Sequence, residues 1–285
     1  MDIVHKLILL ILWMTVPFCL KAELPTLDQL LSMSAKELEK VDIAVINLRC
    51  AEGLPGSETI HYGKVLREFD QLAEYVRNTT IANMRIFYQD PSGYDNNEAL
   101  FKMSMMQSLL KRQCGIVYSP YRSNDEPGET FFADSKDIFI TGFTNRQERM
   151  GTCASLPVLY TAIGRRMGYP LELVQGRKHL FFRWDGQGER FNCEVTIDRM
   201  STPPDEHYST DTYDPLTEED LASGVYLRNI TNIEALAQFM SLRSVCFFVN
   251  GKREEAYECA KHAHRLMPED PSIARSMEEI ERIMN

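Results

Sequence analysis

One cysteine in the chain, Cys153, lies where a thiol could act as a nucleophile. It follows the small residues Gly151 and Thr152 and precedes an apolar pattern with helical spacing. Thr152 is a suitable N-cap, so we predict a helix over residues 153–167, with Pro157 kinking it. A thiol at a helix N-terminus lies near unpaired N–H groups and the positive end of the dipole, and both favour the nucleophilic thiolate. The alternative is that Cys153 only packs in the core, as lone cysteines often do.

A nucleophilic cysteine needs a base, and His179 is the best candidate. It follows Cys153 by 26 residues and begins an apolar strand, and a helix followed by strands can bring the two side chains together. Four other histidines follow loops, lie in an acidic loop, or lie on the solvated face of a C-terminal helix: His61, His207, His262 and His264.

A hairpin supplies a carboxylate for this histidine. The strand that begins at His179 is followed by Asp-Gly-Gln-Gly, a turn signal, and then by a second strand. A turn centred on Gly186 and Gln187 places Glu194 directly opposite His179, with Cβ atoms about 5 Å apart. A carboxylate at that position can orient an imidazole and fix its tautomer.

The same register divides the hairpin into two faces. One face is wholly apolar and is predicted to be the core; it holds Leu180, Phe182, Trp184, Phe191, Cys193 and Val195. The other face is polar and holds His179, Arg183, Asn192, Glu194 and Thr196.

Other roles for these side chains stay open from the sequence. Asn192 could orient the histidine instead of Glu194, whereas Asp185, at the hairpin tip, is too distant to be a strong candidate. Glu194 could also form a surface ion pair with Arg183 or Lys178. Cys153, His179 and Glu194 are metal-ligand types, but they lack a fourth protein ligand, so we expect no metal and no cofactor.

Helices are predicted before this region and strands within it. The predicted helices cover 34–50, 62–77 and 96–113, and the strands cover 171–174, 179–184 and 190–196. Residues 119–135 are predicted to be a loop. The acidic, proline-containing segment 203–220 lacks the spacing of a calcium loop and is interpreted as a solvated surface.

The composition excludes some classes of partner. The 285 residues are 44% hydrophobic and 25% charged, as in globular proteins, and 31 basic against 41 acidic residues give a formal charge of −10. An acidic chain without a basic stripe is a poor ligand for nucleic acid or for anionic membranes.

The N-terminus predicts export. Residues 1–22 carry His5 and Lys6 and then an apolar run too short for a membrane span, which is typical of a signal peptide. Lipid attachment at Cys19 and an uncleaved membrane anchor are the alternatives. Six further cysteines would then be either three disulfides or a mixture with free thiols, and the spacing does not decide between these.

The C-terminal segment predicts a helical pair. Residues 233–249 and the following stretch with Gly251, Ala256, Ala263 and Pro268 match a tetratricopeptide-type unit. Stable arrays need about three such units, so we expect this pair to dock on the main domain.

Several of these motifs together resemble the transglutaminase-like core. They are Gly151-Thr152-Cys153, the helix end and strand AIGRRMGYPLELVQG, the strand His179-Leu-Phe-Phe-Arg-Trp, and Glu194-Val-Thr196. The family has Asp where this chain has Glu194. The upstream helices, with DIAVINLRCAEGLPG, and the C-terminal pair are similar to the SirB-type branch of this family.

The resemblance implies an α+β fold with a cysteine-protease-like core. The expected divisions are a signal peptide at 1–22, an N-terminal helical region at 23–118, the core at 119–230 and a tetratricopeptide-like pair at 231–285. It further implies a triad of Cys153, His179 and Glu194 that transfers acyl groups.

The implied function is hydrolysis of amide bonds in a peptide or protein, in the periplasm, the cell envelope or outside the cell. Transfer to an amine acceptor is the variant of this chemistry. The alternative is a non-catalytic envelope scaffold that binds peptides or proteins through the same cleft and the C-terminal helices.

Overall fold

The computed structural model describes residues 23–119, 132–144, 149–197, 199–210 and 215–284. Helices account for 59% and strands for 11%, which confirms the mixed α+β class. The predicted leader, 1–22, and most of the predicted 119–135 loop lie outside these residues. Within the described ranges, none of the helices combines the length and the apolar composition that crossing a bilayer requires.

The N-terminal region is helical, as predicted. Its helices are α1 (Leu27–Ser32), α2 (Ala35–Leu38), α3 (Ile43–Ala51), α4 (Tyr62–Gln89) and α5 (Glu98–Arg112). The single helix predicted over 34–50 is wrong, because Asp42 accepts a hydrogen bond from the Ala44 N–H (2.9 Å) and starts a new helix there. The helix predicted over 62–77 continues to Gln89.

Two small sheets follow. Strands β1 (Val117–Tyr118) and β2 (Met150–Gly151) form a parallel pair. Between them lie α6 (Ser135–Ile138) and a 3-10 turn, Ile140–Phe143. The second sheet is antiparallel in the order β3 (Leu171–Gly176), β4 (His179–Gly186) and β5 (Glu189–Cys193).

The predicted helix after Cys153 begins later than expected. Helix α7 runs over Leu156–Arg166, so Cys153 lies in the turn before it. Pro157 falls in the first turn, where its missing N–H needs no partner, and the predicted kink is therefore wrong.

One face of the β3–β4–β5 sheet packs on α7. Tyr160 stacks on Phe182 with ring centroids 5.6 Å apart. We call this the inner face; its buried side chains are Leu180, Phe182, Trp184, Cys193 and Val195. These are residues of the predicted apolar face, of which Phe191 is only partly buried.

The predicted hairpin register is wrong by two residues. The turn is Gln187-Gly188, both with positive φ, and Phe182 pairs with Cys193. A two-residue turn of this conformation favours glycine at its second position, which Gly188 supplies. A shift of two residues preserves the side of the sheet on which each side chain lies, so both faces keep the predicted residues.

The opposite, outer face of the sheet is covered by the segment after β5. This segment contains α8 (Asp205–Ser209) and α9 (Glu218–Ser223), and Leu227 donates its backbone N–H to Gln175 on β3. The interpretation of the carboxylates in 203–220 as solvated surface is confirmed for Glu206, Glu218 and Glu219, which are exposed. It is wrong for Asp220, which is fully buried, and for Asp205, which binds Arg183.

The C-terminal helices dock on the rest of the chain. They are α10 (Asn232–Val249), α11 (Arg253–Leu266) and α12 (Pro271–Met284). Asn232 donates to the carbonyls of Leu38 and Val41, and one apolar core includes side chains from α1 to α7 and from α10 to α12. The first helix of the predicted pair is present at the expected position, and a third helix follows the pair.

Candidate active site

Cys153 is held by the turn that links β2 to α7. Thr152 donates its hydroxyl to the Asp137 carbonyl (2.6 Å), and its N–H donates to the Ser155 hydroxyl (3.1 Å). Gly151 allows this packing, since a Cβ there would lie 2.2 Å from the Phe143 ring. The turn is therefore fixed from both sides, and the Cys153 side chain is left partly exposed.

The backbone of this turn leaves one donor available. The N–H groups of Ser155 and Leu156 both donate to the Thr152 carbonyl, and the Ala154 N–H donates to the Thr152 hydroxyl (3.3 Å). The Cys153 N–H has no acceptor among the residues that the structure describes. An unpaired N–H on the nucleophile itself is the kind of group that stabilises an oxyanion.

His179 is placed by a tight turn at the start of β4. Gly176 pairs with His179 across the turn Arg177-Lys178, and Lys178 adopts a positive φ. The His179 side chain is 26% exposed, and its Nε2 lies 2.8 Å from Oε2 of Glu194. The Cys153 side chain also interacts with this imidazole and helps to raise its pKa.

Glu194 is held by several donors at once. Its Oε1 accepts from the backbone N–H groups of Val195 and Thr196 (both 2.9 Å) and from the Thr196 hydroxyl (2.6 Å). Its Oε2 binds His179 and accepts from the Tyr208 hydroxyl at 3.3 Å. These hydrogen bonds fix the orientation of the Glu194 side chain.

The corrected register explains why glutamate fits here. Continuing the observed pairing beyond Cys193 sets position 194 opposite Phe181 and not opposite His179. The contact with His179 is therefore a diagonal one, at about 7–8 Å between Cα atoms, within reach of long side chains only. A glutamate spans this diagonal more readily than an aspartate.

His179 and Glu194 stabilise each other's charged form. Burial lowers the pKa of His179, but its interactions with Cys153 and Glu194 outweigh burial and raise this pKa to about 10. Burial raises the pKa of Glu194, but the hydrogen bonds and charge of His179 and the Thr196 donors lower it to about 2. At neutral pH the site therefore holds an imidazolium and a carboxylate.

The rival partners for His179 are engaged elsewhere. Asn192 accepts from Nε of Arg183 (2.7 Å) and donates to Asp205 (2.8 Å). Asp185, at the hairpin tip, accepts from Asn229 (2.7 Å). Neither side chain competes with Glu194, and Arg183 does not pair with Glu194.

Two residues near the site, Tyr208 and Asp205, were not predicted from the sequence. Tyr208, on α8, stacks on His179 with ring centroids 5.9 Å apart and donates to Glu194. Asp205, on the same helix, accepts from Arg183 at 2.6 Å. Both lie in the segment that was interpreted as solvated, and no periodicity in that segment indicates their contacts.

The structure also shows the oxidation state of the cysteines. All six described cysteines are free thiols, and the predicted alternative of three disulfides is not what the structure has. Of these, Cys114 and Cys153 are partly exposed and the others are buried. Within the described part of the chain, no cluster of three His, Cys, Asp or Glu side chains has a geometry that could hold a metal ion.

The chain was also compared with known proteins. Neither models of protein families, nor curated proteins, nor solved structures give a match. The interpretation of the site therefore rests on its own side chains and their geometry.

Proposed function

We propose that the protein is a thiol acyl-transfer enzyme of the transglutaminase-like type that hydrolyses amide bonds in a peptide or protein. Cys153 is its nucleophile, His179 its acid and base, and Glu194 the carboxylate that orients the histidine. The observation that carries the proposal is the hydrogen bond between His179 and Glu194 (2.8 Å), a carboxylate that further donors hold in place. The interaction of Cys153 with the same imidazole helps to raise the pKa of His179.

In the first half-reaction, the Cys153 sulfur forms a bond to the substrate carbonyl carbon. The oxyanion accepts a hydrogen bond from the unpaired Cys153 N–H, and the imidazolium of His179 gives its proton to the leaving amine. The C–N bond then breaks, which leaves a thioester on Cys153 and a neutral His179.

In the second half-reaction, the neutral His179 takes a proton from water. The resulting hydroxide attacks the thioester carbonyl, the C–S bond breaks, and the acid product leaves. This restores the thiolate and the imidazolium. An amine in place of water would give cross-linking, and we favour water because the His179 side chain is partly exposed to solvent.

The wider assignment is part of the same proposal. The core at 119–230 is cysteine-protease-like, the C-terminal helices are tetratricopeptide-like, and the protein acts after export. The alternative is a non-catalytic scaffold that binds peptides through this cleft and the C-terminal helices. A thiol that forms an acyl-enzyme distinguishes the two functions.

Acyl-enzyme formation is tested with p-nitrophenyl acetate as the probe, followed by nitrophenolate release and by the mass of the intact protein. We expect a burst of nitrophenolate and a single acetyl group on Cys153, both lost in Cys153→Ser. Cys114→Ser is the matched control, because Cys114 is the other partly exposed described thiol. No burst, or acetylation that is equal on the two cysteines, would favour the scaffold.

A further inference from the structure

We propose that Tyr208 is a positioning residue for this site: its ring and hydroxyl fix His179 and Glu194 in the orientation that Cys153 needs. The proposal rests on the proposed function and adds a residue from outside the three that the sequence indicates. Tyr208 contacts both members of the pair but lies on a different element from either of them.

The ring of Tyr208 belongs to a stack of aromatic side chains on the outer face. It lies parallel to Phe181, with centroids 3.8 Å apart and planes 1° apart. The His179 ring is stacked on Tyr208 at 5.9 Å, with planes 21° apart. Because Phe181 is fully buried in the sheet, it gives Tyr208 a rigid support against which the imidazole plane is set.

The hydroxyl of Tyr208 acts on the carboxylate. It donates to Oε2 of Glu194, the same oxygen that binds Nε2 of His179. Burial, followed by the charge of Glu194, raises the pKa of Tyr208, so its hydroxyl stays a proton donor. Tyr208 is itself only 5% exposed, so it excludes water from the side of the His179–Glu194 bond that it covers.

Helix α8, which carries Tyr208, is anchored to the sheet by charge. Asp205 accepts from Nη2 of Arg183 (2.6 Å) and from Nδ2 of Asn192 (2.8 Å). Arg183 is 1% exposed and projects from β4, the strand that also carries His179. The position of Tyr208 over the pair is therefore set by the same strand that sets the histidine.

This arrangement separates positioning from chemistry. Without the ring, the imidazole can rotate and water can reach Oε2 of Glu194. Both changes reduce the stabilisation of the charged imidazolium beside Cys153. The loss should therefore be seen in how Cys153 reactivity depends on pH, in addition to any change in stability.

The test is the pH profile of Cys153 alkylation by iodoacetamide, read by mass spectrometry on folded protein. We expect Tyr208→Leu to lower the rate at pH 6 at least about tenfold and to move the rise of the profile towards that of a free thiol, near pH 8.5. Tyr208→Phe keeps the ring and should lose only about threefold. Phe239→Leu, at a fully buried ring in α10, is the matched control and should leave the profile unchanged.

Asp205→Ala is a second variant, for use if Tyr208→Leu fails to fold. It keeps the tyrosine but frees α8 from Arg183, and it should lower the pH 6 rate by an amount between those of the two tyrosine variants. If the folded Tyr208 and Asp205 variants are alkylated at Cys153 as fast as wild type at pH 6, the role of Tyr208 is overturned but the proposed function is not. A wild-type thiol that is unreactive at pH 6 would overturn this role and the proposed function together.

Discussion

The two faces of the β3–β4–β5 sheet are both buried, but they bury different chemistry. The inner face packs Phe182 on Tyr160 of α7 and Trp184 on Tyr169, so its contacts are mainly between aromatic rings. The outer face buries an arginine, an asparagine and a glutamate beneath α8, and each of them has specific hydrogen-bond partners.

This difference indicates which face holds the fold together and which face holds a site. Apolar burial stabilises without directional demands, whereas buried charges need every partner in place and contribute little net stability. The outer face therefore covers the sheet with groups that add little net stability. This arrangement is understandable if the imidazole and the carboxylate are retained for chemistry.

The largest effect on stability is expected from the inner face. Phe182→Ala should lower the free energy of unfolding by about 3–5 kcal/mol, because it leaves a cavity against Tyr160. Urea denaturation followed by circular dichroism measures this. Glu194→Gln, on the outer face, should cost clearly less, and an equal loss would remove the distinction between the faces.

A smaller loss is expected from the ion pair that anchors α8. Arg183→Met should cost about 1–3 kcal/mol, since it removes the donor that Asp205 and Asn192 share. The double variant with Asp205→Ala should lose less than the two single losses combined, as a thermodynamic cycle from urea denaturation would show. Strictly additive losses would mean that the two residues do not act as a pair.

The outer face should also make stability depend on pH. The raised pKa of His179 gives a contribution that is complete below pH 6.5 and lost as the pH rises through about 10. The lowered pKa of Glu194 gives one that is complete above pH 4.5 and lost as the pH falls through about 2. Both are therefore present between pH 4.5 and 6.5.

The measurement is the difference in unfolding free energy between wild type and Glu194→Gln from pH 6.5 to pH 10. It should decline by at least about 1.4 kcal/mol, the equivalent of one pKa unit, between pH 6.5 and 10. The inner-face variant Phe182→Ala should instead show a loss that is the same at every pH. A difference that does not change with pH would mean that Glu194 does not stabilise the protonated form of His179.

The smallest effect is expected at the start of α7. Pro157→Ala should destabilise by about 1 kcal/mol, because proline in a first turn reduces the entropy of the unfolded chain. Thermal unfolding would measure it. A stabilisation of about 3 kcal/mol would instead indicate a proline within the helix, as the sequence alone suggested.

The sequence predicts most of the site because strand periodicity is robust. Alternation along β4 and β5 assigns His179 and Glu194 to one face and Phe182 and Cys193 to the other, and a shift of two residues does not alter this. The register itself was wrong because Asp-Gly-Gln-Gly offers two turn centres. Only the backbone conformation of Gln187 and Gly188 distinguishes them.

Other parts of the molecule could not be predicted for a different reason. Tyr208 lies 29 residues after His179, in a segment without a repeating pattern, so its contact depends on the path of the whole chain. The start of α7 depends on the local bonds of Thr152 and Ser155, which helix propensity does not describe.

The most direct test of the central claim is the rate of Cys153 alkylation by iodoacetamide between pH 5 and 9, in wild type and in His179→Ala. His61→Ala, at an exposed histidine outside the site, is the matched control. We expect fast alkylation of Cys153 below pH 7 in wild type and in the control, and its loss in His179→Ala. A rate that rises only near pH 8.5 in all three proteins would contradict it, because Cys153 would then behave as an ordinary thiol.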